Sequence, residues 1–206
     1  MKIAVFGAAG RTGRNVVEGA ISRGYEVTAF IHTTKAFEGR TDVSTVSGDA
    51  FDEADVEKAI LGNDAVLSAL GRSSSGGLAT FAGTKNIVDA MEKNKVKRLI
   101  VQSAFGAGES AREISVLDRY FVTGLLLRAG YRAKDMLEDY VEKSTLDWVI
   151  VRPPRLTDGP RRGIYRAGEH IPLSLASGIS RADVADFMLK QVEGNEFVHK
   201  KPSIGY

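Results

Sequence analysis

Three glycines at regular spacing follow a short apolar segment near the start of the chain. Ile3–Phe6 suits a buried strand, and Gly7, Gly10 and Gly13 come directly after it in the sequence GAAGRTG. A tight turn from strand to helix favours glycine, and close approach of the backbone to a phosphate leaves no room for a Cβ atom. A helix that begins here would offer free N–H groups and the positive end of its dipole to an anion. The pattern GxxGxxG in this position therefore predicts the phosphate loop of a dinucleotide-binding site.

The residues after the second predicted strand bear on which dinucleotide is bound. NAD-binding proteins place an Asp or Glu there for the ribose 2′-hydroxyl, whereas the strand Glu26–Ile31 is followed here by His32, Thr33 and Lys35. A carboxylate would repel a 2′-phosphate, and these side chains could hold one, with Arg11 of the glycine loop adding a second positive charge. The sequence therefore favours NADP, with NAD as the alternative. Arg11 and Lys35 could also be ordinary solvated cations.

Two further strand ends supply candidate contacts to a dinucleotide, because ligands of open α/β sheets lie outside the carboxyl ends of the strands. Asp49 follows the third predicted strand, and its carboxylate could accept a hydrogen bond from the adenine amino group. The alternative for Asp49 is a role in a turn or a helix cap. The fourth predicted strand, Ala65–Leu70, is followed by Gly71. A glycine there would let the backbone pass the cofactor ribose closely.

Composition limits the remaining classes of function. The 206 residues include no cysteine, which excludes disulfides, thiolate metal ligands and a cysteine nucleophile, and is typical of a reducing cytosol. The net charge is +2 with dispersed charges, too small to predict a nucleic-acid or membrane-surface partner. His32, His170 and His199 stand far apart in sequence, so we expect no metal site. The chain lacks a run of about 18 apolar residues, and Ile3–Phe6 is too short for the apolar region of a signal peptide.

Strand-like and helix-like segments alternate along the chain. The predicted strands are Ile3–Phe6, Glu26–Ile31, Ser44–Val46, Ala65–Leu70, Arg98–Gln102 and Trp148–Val151, with Phe197–His199 as a candidate last strand. Helices are predicted in Gly10–Arg23, between the N-cap Asp52 and Gly62, in Thr80–Lys93, over most of 113–143 with interruptions at Gly124 and Gly130, and after the N-cap Ser180. Several strands are continuous apolar runs, typical of strands buried on both faces. The alternation predicts an α/β fold of Rossmann type, a doubly wound parallel sheet in three layers, as one domain over residues 1–206.

Five motifs in this order resemble a known family: GAAGRTG, GDAFDEADVEKAILGNDAVLSALG, IVQSAFGAG, LDWVIVRPPRLTDG and ISRADVADFML. They resemble the atypical short-chain dehydrogenase/reductase group that includes biliverdin-IXβ reductase, which is also a flavin reductase, and the NmrA-like proteins. By position, the resemblance implies that Ser103 lies near the nicotinamide and that the Pro153–Pro154 pair passes its end. The predicted cofactor-binding residues are Gly7, Ala9, Gly10, Arg11, Thr12, Gly13, His32, Thr33, Lys35, Asp49, Ala50, Ala69, Leu70, Gly71, Ser103 and Pro153. His32 stands where many relatives carry an arginine for the 2′-phosphate.

The chain lacks the proton-donating motif Tyr-x-x-x-Lys of typical short-chain dehydrogenases. Tyr131 and Lys134 would still share a helix face, and a tyrosine whose pKa is lowered by a nearby lysine is a reasonable acid; an ordinary surface pair is the alternative. Ser103 could position the acceptor or relay a proton, or its hydroxyl could simply bond to backbone. Arg152 and Arg155 flank the Pro-Pro turn and could hold an anionic substrate group, or be solvated. The predicted catalytic residues are Ser103, Tyr131, Lys134 and Arg155.

Two functions follow as hypotheses. The first is an NAD(P)H-dependent reductase of a flavin, quinone, tetrapyrrole or similar conjugated small molecule, whose delocalised charge reduces the need for a strong acid. The alternative is an NmrA-like sensor that binds the dinucleotide without turnover. The segments near 104–130 and 155–180 are expected on the substrate side. We expect a cytoplasmic monomer or homodimer that acts on a small molecule and has no nucleic-acid or membrane partner.

Overall fold

Six parallel strands form the central sheet. The computed structural model describes residues 1–32, 36–71, 77–112, 125–174 and 176–206. The six strands are β1 (Lys2–Phe6), β2 (Glu26–Ile31), β3 (Ser44–Ser47), β4 (Ala65–Ser68), β5 (Arg98–Gln102) and β6 (Asp147–Val151). Their order is β3-β2-β1-β4-β5-β6, and every neighbouring pair is parallel. This is the order of the doubly wound Rossmann sheet, in which the winding reverses between β1 and β4. The predicted fold class is confirmed.

Helices cover both faces of the sheet. Within the described ranges the α-helices are α1 (Arg11–Ile21), α2 (Glu53–Ile60), α3 (Gly77–Lys93), α4 (Leu125–Glu142) and α5 (Arg181–Lys190), with a short 3₁₀ helix at Gly108–Arg112. Side chains of β1 alternate between the faces: Ile3 and Val5 pack with α1 and α5, whereas Ala4 and Phe6 pack with α2, α3 and α4. All four are fully buried, as expected of a parallel strand covered on both faces. The protein therefore has the predicted three layers.

The predicted N-caps of two helices are confirmed. The Asp52 carboxylate accepts hydrogen bonds from the backbone N–H groups of Ala54 and Asp55, at 2.8 and 3.1 Å. The Ser180 hydroxyl oxygen accepts one from the backbone N–H of Asp183 at 3.0 Å. Each cap occupies N–H groups that have no partner within the helix. Helices α2 and α5 therefore begin directly after the residues that predicted their starts.

Two local predictions are wrong. Gly130 lies inside α4 instead of interrupting it, because one glycine in a helix costs only about 1 kcal/mol relative to alanine and packing can outweigh that. Gly124, the other predicted interruption, lies outside the described residues. Phe197–His199 forms a turn instead of a strand, since His199 has a φ of 57°, which strands do not accommodate. The chain begins to pair with the edge of β6 only at Lys200.

Two small sheets follow the carboxyl end of β6. The strand β7 (Arg155–Thr157) pairs in parallel with β9 (Gly178–Ser180), and β8 (Arg166–Gly168) pairs antiparallel with β10 (Ser203–Gly205). The segment 155–180 thus starts where β6 ends, at the edge of the sheet where ligands of such folds lie. Among the helices of the described ranges, none is long and apolar enough to cross a bilayer.

Candidate functional site

The turn between β1 and α1 requires glycine for steric reasons. Gly7 has a φ of 72°, and a Cβ atom there would lie 2.7 Å from the carbonyl oxygen of Ala69, which follows β4. A Cβ atom at Gly13 would overlap the carbonyl oxygen of Gly7. The turn is closed by a hydrogen bond of 2.9 Å from the Gly10 N–H to that same oxygen. The three glycines therefore bring the start of α1 against the ends of β1 and β4.

The first turn of α1 is suited to an anion. Gly10 occupies the N-cap position and supplies no side-chain cap, so the first N–H groups of the helix keep their capacity to bind a ligand. None of the residues of this turn, all of which are described, is acidic. An uncapped helix N-terminus of this kind attracts phosphate through both its N–H groups and its dipole. Of the three α-helices whose N-cap residues are described, α2 and α5 have a side-chain cap and α1 does not, so the start of α1 is open to a ligand.

Arg11 is not simply solvated. Its guanidinium donates from Nη1 to Oδ2 of Asp158 at 3.0 Å, and Arg181 binds the same carboxylate. Arg11 and Arg181 are the first residues of α1 and α5, so Asp158 joins the two helix starts beside the glycine loop. A phosphate bound at the loop would have to share Arg11 with Asp158.

Arg14 is a second cation at the same helix start, which the sequence analysis did not single out. Its Nε donates to the carbonyl oxygen of Ala9 at 3.0 Å, inside the glycine loop. Its guanidinium carbon lies 5.8 Å from the centre of the Phe37 ring, on the connection that follows β2. Arg14 thus links the phosphate loop to the end of β2, where the 2′-phosphate of NADP is expected. Its place one residue after the GAAGRTG motif is the signal that could have identified it.

The residues predicted to contact the 2′-phosphate and adenine follow β2 and β3, respectively. His32 is exposed immediately after β2, and the predicted contacts Thr33 and Lys35 lie outside the described residues. Oδ1 of Asp49 accepts a hydrogen bond of 3.0 Å from the N–H of Phe51. This is the turn role named as the alternative for Asp49. A carboxylate has a second oxygen, so a contact to adenine stays a prediction.

The residues after β4 line the middle of the same edge. The Ala69 N–H donates to the carbonyl oxygen of Phe6 at 3.0 Å, which extends the pairing of β1 and β4 into the glycine loop. Leu70 is partly buried, and both Leu70 and Ala50 lie beside α3, where a Cβ atom at Gly83 would be 3.1 and 3.2 Å from their side chains. A Cβ atom at Gly71 would meet open space, so packing within the described protein does not explain that glycine.

Ser103 follows β5 and is 2% exposed. Its N–H donates to the carbonyl oxygen of Val151 at 2.8 Å, which fixes the backbone between β5 and β6. Its hydroxyl donates to Oε1 of Glu138, on α4. The alternative of a hydroxyl bonded to backbone is therefore wrong. Pro153 is buried, and its carbonyl oxygen accepts from the Phe105 N–H at 2.9 Å, so the two predicted nicotinamide-side residues belong to one paired segment.

Arg152 fits neither of the two roles considered for it, a contact to a substrate anion or a solvated charge. Arg152 is 2% exposed, and its guanidinium is shared between Glu138, itself 1% exposed, and Glu109. Two bonds of 2.9 and 3.0 Å join it to Glu109, and a third of 3.1 Å joins Nε to Oε1 of Glu138. Burial lowers the pKa of Arg152, but the hydrogen bonds of the two carboxylates outweigh it and raise the pKa above the usual value. A side chain paired in this way is structural.

Tyr131 and Lys134 share a face of α4, as the sequence predicts. The Tyr131 hydroxyl donates to the carbonyl oxygen of Phe105 at 3.2 Å, and Nζ of Lys134 donates to that of Gln102 at 2.8 Å. Both partly buried side chains thus reach the segment that follows β5. Desolvation lowers the pKa of Lys134 to about 8, against the opposing effect of the Glu138 charge. We call Ser103, Lys134, Glu138 and Arg152 the β5–α4 cluster; Glu109 pairs with its arginine from outside.

Arg155, the remaining predicted catalytic residue, is exposed at the start of β7. Its guanidinium passes beside β9, where a Cβ atom at Gly178 would lie 3.4 Å from Nη2. Its exposure is compatible with a contact to a substrate anion, which stays a prediction.

Most of the chain matches a known family. A family model described as NAD(P)H-binding covers residues 7–195, beginning at the first glycine of the loop. The chain belongs to this NAD(P)H-binding family. The prediction of a nicotinamide dinucleotide as cofactor is confirmed.

Two relatives of this NAD(P)H-binding protein come from a plant and a bacterium, and both are described as uncharacterized. It is 29% identical over 173 residues to a chloroplastic protein of Arabidopsis thaliana, covering 79% of this chain and 61% of that one. It is 26% identical over 208 residues to the protein YwnB of Bacillus subtilis, covering 98% of this chain and 96% of that one. The chain therefore spans less than two thirds of the plant relative and nearly all of the bacterial one.

Solved structures share the fold over almost the whole length. The oxidoreductase ylbE from Lactococcus lactis has a TM-score of 0.85 at 24% identity, covering 100% of this chain and 90% of that chain. ChuY, an anaerobillin reductase from Escherichia coli O157:H7, has a TM-score of 0.83 at 24% identity, covering 99% of this chain and 96% of that chain. A short-chain dehydrogenase/reductase from Veillonella parvula in complex with NADP has a TM-score of 0.82 at 16% identity, covering 100% of this chain and 94% of that chain. These likenesses show the Rossmann fold.

One functional candidate of this NAD(P)H-binding protein escaped the sequence analysis besides Arg14. Glu138 is unremarkable in the sequence, since acidic residues are common on helices. Glu138 lies 35 residues from Ser103 and 14 from Arg152. No local spacing connects positions so far apart, so only the three-dimensional arrangement identifies them. The described residues do not bring three potential metal-ligating side chains together.

Proposed function

We propose that this chain is an NADPH-dependent reductase of a conjugated small molecule such as a flavin, a quinone or a tetrapyrrole. The observation that carries the proposal is the position of the β5–α4 cluster, two strands along the sheet from the glycine loop. A dinucleotide that places its pyrophosphate at the helix start and extends across β4 would bring its nicotinamide to the carboxyl end of β5. There it would meet Ser103 and the face of α4 that carries Lys134.

The glycine loop supports dinucleotide binding on its own geometry. Gly7 and Gly13 leave no space for a Cβ atom, and α1 begins without a side-chain cap. Gly7, Gly10 and Gly13 would admit the pyrophosphate, Thr12 and Arg11 would lie beside it, and Arg14 would face the 2′-phosphate from the first turn of α1. Ala69, Leu70 and Gly71 would border the ribose at the middle of the edge. The preference for NADP over NAD rests on Arg11, Arg14 and His32 in place of an acidic residue after β2.

The cofactor supplies a hydride. The protein has to bind the cofactor and the acceptor, orient them and exclude water. Lys134 would hold the proton that balances the reduction, at Nζ, since a pKa of about 8 makes its ammonium a usable acid near neutral pH. Tyr131 lies on the same helix face and would position the acceptor with Ser103. Arg155 would contact an anionic group of the substrate from the rim. A conjugated acceptor delocalises the added charge, so a weak acid of this kind is sufficient.

The similarities to known proteins support the same reaction class. ChuY is an anaerobillin reductase, and ylbE is an oxidoreductase. A third protein of the same fold was crystallised with NADP. The absence of cysteine from the sequence supports a reducing compartment, and we propose a cytoplasmic monomer or homodimer.

A sensor without turnover is the second candidate, and one observation favours it. The hydroxyls of Ser103 and Tyr131 both donate to groups of the protein itself, Glu138 and the Phe105 carbonyl. Neither hydroxyl hydrogen is therefore directed at a bound acceptor. In a sensor these bonds would serve only to hold the segment after β5 in place.

Steady-state kinetics separates the two candidates. Purified protein would be mixed with NADPH or NADH and with FMN, a quinone or biliverdin, and nucleotide oxidation followed by absorbance. We expect turnover with at least one acceptor and a lower KM for NADPH than for NADH. NADPH binding in a fluorescence titration, without oxidation above background for any acceptor, would contradict the reductase and favour the sensor.

A further inference from the structure

Glu138 is a buried carboxylate in the middle of α4 that contacts two side chains from different strands. Ser103, after β5, donates its hydroxyl hydrogen to Oε1. Arg152, after β6, donates from Nε to Oε1 at 3.1 Å and pairs with Oε2 through Nη2. A carboxylate that is only 1% exposed is stable in its charged form only with such partners. Its two oxygens are thus occupied by one cation and one hydroxyl.

The backbone around this carboxylate is closed tightly. Gly108 opens the 3₁₀ helix with a φ of 54°, and a Cβ atom there would lie 2.8 Å from both Nη2 of Arg152 and Oε2 of Glu138. The N–H of Gly108 donates to Oδ1 of Asp135, one turn earlier on α4, at 2.7 Å. The carboxylate therefore has little freedom to move away from Ser103.

The direction of the Ser103 hydrogen bond has a chemical consequence. A carboxylate only accepts hydrogen bonds, so the hydroxyl hydrogen of Ser103 must point at Glu138. The serine oxygen then offers only its lone pairs to any other group. We infer that Glu138 is a positioning residue, which orients Ser103 as a hydrogen-bond acceptor toward the compound that is reduced. This inference rests on the proposed reductase function.

Glu109 provides a matched control for Glu138. Both carboxylates bind Arg152, but Glu109 binds it from the solvent side and also pairs with Lys201. Burial raises the pKa of Glu109, and the hydrogen bonds of Arg152 and Lys201 outweigh it and lower the pKa to about 2. The difference that matters is that Glu138 contacts Ser103. Glu109→Gln therefore tests the ion pair without touching the serine.

The contact is tested first by thermal unfolding of the protein without nucleotide. We compare the wild type with Ser103→Ala, Glu138→Gln and the double variant. If Ser103 and Glu138 interact, the fall in melting temperature of the double variant is smaller than the sum of the two single falls. Additive falls would mean that the bond is absent, and would overturn the inference whatever the activity.

The positioning role is tested by kcat for the same four proteins. We expect Glu138→Gln to lower kcat about tenfold with the KM for NADPH unchanged, and the double variant to match Ser103→Ala within about twofold, because groups that act as a unit are non-additive. Glu109→Gln should keep the wild-type kcat. Coupled melting temperatures with a wild-type kcat in Glu138→Gln, or with independent losses in the double variant, would show a structural role only and overturn the inference.

Two safeguards keep the outcomes distinct. If Glu138→Gln does not fold, Glu138→Gln/Arg152→Gln replaces it, because removing both charges leaves no unpaired ion beside Ser103. The expected result is unchanged: adding Ser103→Ala to that variant should lower kcat by less than about twofold. If the wild type shows no turnover while the melting temperatures stay coupled, the reductase proposal itself fails. If the wild type is active and the variants do not behave as expected, the role of Glu138 fails and the reductase proposal stands.

Discussion

The glycine loop and the β5–α4 cluster lie at the same edge of one sheet, yet they are built in opposite ways. The loop is shaped by the absence of side chains. A Cβ atom at Gly7 or Gly13 would lie less than 3 Å from backbone atoms, so both positions require glycine. The cluster is shaped by side chains, in which Arg152 is shared between two carboxylates and Glu138 also binds Ser103. The comparison teaches that the loop can be damaged by adding an atom, whereas the cluster is damaged by removing a charge.

The largest effect is expected on stability when the cluster loses its cation. Arg152→Met leaves Glu138 buried without its partner, and breaking a buried ion pair in this way costs about 3–5 kcal/mol. Urea unfolding of the protein without nucleotide measures this loss. Arg11→Met is the matched control, because the Arg11–Asp158 pair is exposed and exposed pairs contribute little. Equal stability of the two variants would contradict the buried network.

The next effect is expected on binding when the loop gains one carbon atom. Gly13→Ala places a Cβ atom on the carbonyl oxygen of Gly7, so the start of α1 must move away from β1. We expect NADPH affinity to fall about 100-fold, because the N–H groups that would bind the phosphates move with α1 and charge-assisted hydrogen bonds contribute roughly 1.5–3 kcal/mol each. Fluorescence titration with NADPH measures it. Gly130→Ala, where a Cβ atom meets open space, should bind like the wild type, and similar affinities for the two variants would disprove the steric argument.

The sequence predicts the loop far better than the cluster, for a physical reason. Backbone constraints act between residues close in sequence, so Gly7, Gly10 and Gly13 mark the turn directly, and the alternating apolar segments predict the sheet that carries it. The cluster joins Ser103, Glu138 and Arg152 across long separations, and its charges resemble those of solvated helix surfaces. For that reason the sequence left open whether Arg152 contacts a substrate anion or is solvated, although the fold buries it between two carboxylates.

A smaller effect is expected on the choice of nucleotide at the loop. Arg14→Ala should weaken NADPH binding about tenfold and change NADH binding little, because one charge-assisted contact to phosphate contributes roughly 1.5–3 kcal/mol at most. Arg40→Ala is the matched control. The guanidinium of Arg40 also lies 5.8 Å from the centre of the Phe37 ring but is paired with Glu18 and Asp42. Titrations of both variants with both nucleotides measure the difference. An equal loss for NADPH and NADH in Arg14→Ala would remove it from the 2′-phosphate site.

The smallest effect is expected from pH, and it tests whether the cluster takes part in the reaction. Desolvation lowers the pKa of Lys134 to about 8, with Glu138 opposing the shift. If the ammonium supplies the proton, the active form is present below this pKa and is lost as the pH rises through it. The rate with saturating NADPH should therefore fall by about half between pH 7 and pH 8.

Lys134→Met gives the control for this pH dependence. It should show a lower rate without an alkaline limb near pH 8, because solvent would then supply the proton. The same limb in both proteins would assign it to another group. In that case Lys134 would belong with Arg152 among the residues that hold α4 against the end of β5, and the chemistry would depend on Ser103 and the bound nucleotide.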